Sequence, residues 1–62
     1  MKMRYRVEGL TFATEIAAIQ EASKVAKKRK YDGDYALIML EQHGGWYVPR
    51  LRVYKNGRLE KV

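Results

Sequence analysis

Two stretches of alternation constrain this chain more than anything else in it. Lys2-Met3-Arg4-Tyr5-Arg6-Val7 near one end and Arg50-Leu51-Arg52-Val53-Tyr54-Lys55 near the other alternate cationic and apolar residues with period two, the second as far as Val53. Successive side chains of an extended strand point to opposite faces, so each pattern predicts a strand with one apolar face and one arginine-bearing face. Two such strands in one sheet would give a domain with a greasy side for a core and a basic side for something acidic.

Local punctuation places the remaining elements. Residues 2–8 read as a first strand, with Met3, Tyr5 and Val7 inward, ended by Gly9. Thr11 then serves as the expected helix N-cap, its hydroxyl positioned to accept from an unpaired backbone N–H. Residues 12–30, rich in Ala, Ile, Gln, Glu and Lys, read as the helix. Its apolar stripe is predicted as Phe12, Ile16, Ile19, Ala22, Ser23 and Ala26. Asp32-Gly33-Asp34 stops it. Residues 35–42 are mostly apolar and read as a central strand. The turn His43-Gly44-Gly45 leads into a strand over residues 46–55, where Pro49 cannot donate to a ladder and implies an edge or a bulge. Asn56-Gly57 predicts a type I′ hairpin turn into a short last strand at residues 58–62.

The expected fold is therefore α+β, a single small β-α-β-β-β domain over residues 1–62 with one helix packed on one face of a mostly antiparallel sheet. A connection of some twenty residues between the first two strands would permit a right-handed crossover if they run parallel. An unpaired edge on so small a domain would also favour a homodimer.

A chain of 62 residues buries only about 60% of its unfolded surface, and with no cysteine there are no disulfides and no thiolate metal sites. That cysteine usage fits a reducing cytoplasm. The longest apolar run, residues 36–40, is far short of the roughly 20 residues a membrane span needs, and no apolar stretch follows the basic N-terminus as a signal peptide would require. Catalytic signals are sparse. His43 is the sole histidine and Ser23 the sole serine, and they stand in different elements, with no orienting partner in the pattern. Asp32 and Asp34 read as a helix stop with a turn, not as a cation site. The chain is expected to be no enzyme and to need no cofactor or metal.

Charge supplies the functional expectation. Thirteen Lys and Arg against seven Asp and Glu leave a net charge of +6, which draws a small body toward nucleic acid or acidic protein surfaces. The alternation projects Arg4, Arg6, Arg50 and Arg52 from the uncovered sheet face, together with Lys2, Trp46, Val48 and Tyr54. Arginine forms bidentate bonds to phosphate, and aromatic rings stack on bases. A second cluster, Lys27, Lys28, Arg29 and Lys30 with Lys24 before it, exceeds what neutralising a helix C-terminus requires. The leading expectation is thus an accessory or regulatory nucleic-acid-binding module. The alternative is a protein-binding module, such as a phage- or plasmid-encoded inhibitor of a host protein, with Trp46, Tyr47, Tyr54 and the arginines as interface residues. In layout and size alone, the chain is similar to small phage-encoded host-takeover proteins.

Overall fold

The computed structural model describes residues 4–62; Lys2 and Met3 of the first alternating stretch lie outside them. The order is β1 (Tyr5–Val7), β2 (Leu10–Phe12), α1 (Glu15–Lys27), β3 (Tyr35–Glu41), β4 (Tyr47–Tyr54) and β5 (Leu59–Lys61). The strands form one sheet in the order β2-β1-β3-β4-β5, antiparallel throughout, and the helix packs on one face of it. This is the expected small α+β fold with one strand more than the pattern indicated.

The extra strand, β2, comes from a turn that sequence reading took as a simple break. Glu8 and Gly9 both hold positive φ, 49° and 87°, the geometry of a two-residue type I′ turn. Val7 is thereby paired with Leu10, and Thr11 with Arg6. Thr11 is therefore a strand residue, and the N-cap is Thr14, whose Oγ1 accepts from the Ala17 N–H at 3.2 Å. Because the hairpin reverses the chain before the helix begins, β1 meets β3 antiparallel, and the parallel crossover does not arise.

The Asn56-Gly57 loop is the converse case. Gly57 has φ 92°, but Asn56 does not take positive φ, so the type I′ expectation fails there. The Gly57 N–H donates to the Tyr54 carbonyl at 2.9 Å, and the Tyr54 N–H donates to the Arg58 carbonyl at 2.8 Å. That is a three-residue loop whose last position is left-handed, as in a turn followed by a bulge. Asn56 Oδ1 accepts from the Arg58 N–H at 2.9 Å and fixes the loop from within.

The core lies between helix and sheet. Val7, Ala36, Ile38 and Val53 of the sheet are fully buried, with Leu51 nearly so, against Ala18, Ala22 and Ala26 of the helix. Tyr5, Phe12, Ile19 and Val25 pack around them. Three alanines one helical turn apart let the helix axis lie close to the strands. Of the predicted stripe, Ala22 and Ala26 lie in this core and Phe12 and Ile19 pack against it, but Ile16 stands about 120° round from Ala22 at 100° per residue and is 71% exposed. The helix ends at Lys27 with Lys28 as its cap, earlier than the composition suggested. No helix among the described residues is long and apolar enough to cross a membrane.

Candidate binding face

The face that the helix leaves uncovered is defined by register, since directly opposed residues share a side. Arg6 stands opposite Met39. Across β3 and β4, Leu37 opposes Arg52, Tyr35 opposes Tyr54, Met39 opposes Pro49 and Glu41 opposes Tyr47, while Arg52 in turn opposes Glu60 on β5. The face thus has Leu37 and Met39 at its centre, with Tyr35, Tyr47 and Tyr54 among arginines around them. Arg4 precedes β1 and its carbonyl accepts from the Glu41 N–H at 2.8 Å, which sets it opposite Glu41 at one end of the face.

The arginines are laid on rings. The Arg6 guanidinium lies 5.5 Å from the Tyr47 ring centre, Arg52 lies 5.2 Å from Tyr35, and Arg58 lies 4.8 Å from Tyr54. Tyr35 and Tyr54 themselves meet edge to face at 5.6 Å. Each cation over a ring face is attracted by the ring quadrupole, and the arginine stems cover the apolar centre.

Glu60 organises the β5 side. Its Oε1 accepts from Arg52 Nη1 at 2.8 Å and from the Tyr54 hydroxyl at 2.9 Å, and its Oε2 accepts from Arg58 Nη2 at 3.4 Å. The Arg52 hydrogen bond first, and that of Tyr54 second, hold the Glu60 carboxyl below the usual glutamate range against a smaller opposing effect of desolvation. The same bond raises Arg52. Arg52 Nε is buried without a hydrogen-bond partner among the described residues. Two of the four arginines on this face are therefore already held by a carboxylate.

Arg50 is the site residue that the structure moves. Between Ile38 and Met39 the register shifts, so that Ile38 opposes Leu51 and Met39 opposes Pro49, leaving Arg50 as the extra residue of a β-bulge. The bulge breaks the alternation at Pro49. Before it Tyr47 and Pro49 face outward and Val48 faces the helix side with Leu40; after it Arg52 and Tyr54 face outward. Arg50 instead reaches toward Glu15 in the first helical turn, Nε to Oε1 3.9 Å. Val48 and Arg50 are thus not on the open face, and Trp46 sits in the loop before β4 rather than within it.

Of the helix-end cluster, Lys27 closes the helix, Lys28 caps it, and Arg29 and Lys30 follow. Arg29 Nη2 meets Glu8 Oε1 at 2.9 Å, and Lys30 lies 5.4 Å from the Tyr31 ring centre. An open cavity of about 460 Å³, lined by Glu8, Arg29, Asp34, Tyr35 and Leu37, joins this end of the helix to the open face. It exists because β1 pairs with β3 only through Tyr5 and Arg6, so the first half of β3 has no strand beside it there. Among the described residues, no carboxylate lies within ion-pair distance of Arg4, Arg6, Lys27, Lys28 or Lys30.

Sequence reading missed Tyr35, Leu37, Met39, Arg58 and Glu60 as members of this face. Both sides of β3 are apolar, so its alternation carries no polarity contrast to reveal which side is outward. His43 is exposed in the β3–β4 loop, as its flanking glycines implied. Comparisons with protein-family models, curated protein sequences and solved structures gave no match to this chain.

Proposed function

We propose that this chain is a small nucleic-acid-binding module of the cytoplasm, a binding protein and not an enzyme, acting as an accessory or regulatory factor. The observation that carries the reading is the uncovered sheet face, where arginines overlie tyrosine rings and a cavity links that face to the basic end of the helix. A guanidinium held over a ring offers its donors to phosphate, while aromatic rings beside it offer stacking surfaces. The Arg29–Glu8 pair does not oppose this, because exposed ion pairs contribute only about 0–1 kcal/mol and exchange readily for phosphate.

The test is a titration of a labelled oligonucleotide by fluorescence anisotropy at about 50 mM and about 200 mM salt. Binding that weakens steeply with salt, and weakens further in Arg6→Ala, is the expected result. Absence of binding at the lower salt, or affinity indifferent to salt, defeats the reading.

One observation favours a protein partner instead. Leu37 and Met39 form an apolar centre on the same face, and Glu60 already neutralises much of Arg52 and Arg58, which suits an interface with a dry middle and a polar rim. The net charge of +6 weighs for the polyanion. Recovery of one defined acidic protein, unaffected by nuclease, would reverse that preference.

A further inference from the structure

The β3–β4 loop presents a large aromatic ring packed on its own backbone. Gly44 and Gly45 hold φ of 105° and 96°, and the loop is closed by the Gln42 N–H donating to the Trp46 carbonyl at 2.7 Å and the Gly45 N–H donating to the Gln42 carbonyl at 3.0 Å. The Trp46 ring lies directly against the Gly44 Cα: a Cβ at position 44 would collide with its six-membered ring. Yet Trp46 is 60% exposed. One ring surface is therefore seated on backbone while much of the rest meets solvent. Tyr47, one residue on, opens the series of rings capped by arginines.

A ring packed on backbone in this way has part of its rotational freedom already removed, which lowers the ordering cost of stacking another planar group on it. Resting on the nucleic-acid reading above, we infer that the ligand is single-stranded, with an unstacked base lying on Trp46. In a duplex the base faces are occupied by their neighbours, and a protruding ring would have to wedge a step apart. In a single strand they are free to be splayed onto aromatic side chains.

Trp46 is the sole tryptophan, so its emission reports contact at this ring alone. The probe is a mixed-sequence strand of about 15 nucleotides, within reach of a site of this size, compared with the same strand annealed to its complement. The single strand should quench Trp46 emission and bind at least about tenfold more tightly than the duplex, the scale expected of one base–aromatic stack. Trp46→Leu should lose that advantage for the single strand while leaving duplex affinity unchanged, and Trp46→Phe should recover part of it, with circular dichroism verifying that each variant is folded. Equal affinity for strand and duplex, or saturating anisotropy with unmoved emission, overturns the inference and leaves the proposed function standing. No binding of either form at low salt overturns both.

Discussion

Arg52 on β4 and Glu60 on β5 stand directly opposite each other in the sheet and close an ion pair at 2.8 Å, to which the Tyr54 hydroxyl adds a bond to the same oxygen. One carboxylate thus both orders the arginine face and subtracts from its charge. Stability and recognition are coupled at this position with opposite signs.

The first prediction follows from that coupling. The folded state lowers the Glu60 carboxyl, so it contributes stability that is present above the ordinary glutamate pKa, about 4.3. That contribution is lost as pH falls through the lower folded value. Glu60→Gln should be less stable than the parent at neutral pH, with the difference shrinking as the medium is acidified below the glutamate range, read as melting temperature against pH. In the oligonucleotide titration the same variant should bind more tightly, because Arg52 and Arg58 are released. Weaker binding would mean that Glu60 orders these side chains for contact more than it competes for them.

The second concerns the two arginines that alternation treated alike. Arg6→Ala removes a guanidinium from the open face and should lower the salt slope of log K by about 0.7, the value for one single-strand phosphate contact. Arg50→Ala should leave the slope unchanged, since that side chain turns to Glu15 on the helix side. Its cost in stability should stay within about 1 kcal/mol, as for other exposed pairs.

A third contrast tests the helix start. Thr14→Ala removes the oxygen that accepts from the Ala17 N–H and should destabilise the domain by about 1 kcal/mol. Thr11→Ala, at an exposed position of β2, should change stability by no more than about 0.5 kcal/mol. Urea denaturation measures both, and equal effects would place the cap elsewhere.

The fourth uses the orientation of the helix. Ala22 has no exposed surface and lies against the sheet, so Ala22→Leu should cost about 1–3 kcal/mol by overpacking. Ile16, on the outer side, should tolerate serine within about 0.5 kcal/mol. Chemical denaturation giving the reverse order would mean that the helix is turned.

What was legible in the chain is what the backbone states locally. The Asp32-Gly33-Asp34 exit, the apolar β3 and the glycine turns place one helix and four of the five strands. β2 was hidden because Leu10-Thr11-Phe12 is too short to show a period, and because Glu8, a residue that rarely takes positive φ, completes the turn before it. One side of the helix face was misjudged for a related reason. Alanine is only weakly apolar, so Ala18 gave a fainter signal than Ile16, although close approach to a sheet favours the smaller side chain. On the binding face, Arg6, Arg52 and Tyr54 followed from alternation; Arg50 did not, because a register shift depends on how the partner strand sits and leaves only Pro49 as its trace.

That shift has a consequence for how the chain tolerates change. The strand Tyr47–Tyr54 contains two halves of opposite phase, joined at a single surplus residue. Deleting one residue at Pro49 or Arg50 would put the two halves in step. Both halves would then keep their faces, with Tyr47 outward and Val48 inward before the junction, and Leu51 and Val53 in the core with Arg52 outward after it. At this junction the strand can therefore shorten by one residue without turning a core side chain to solvent.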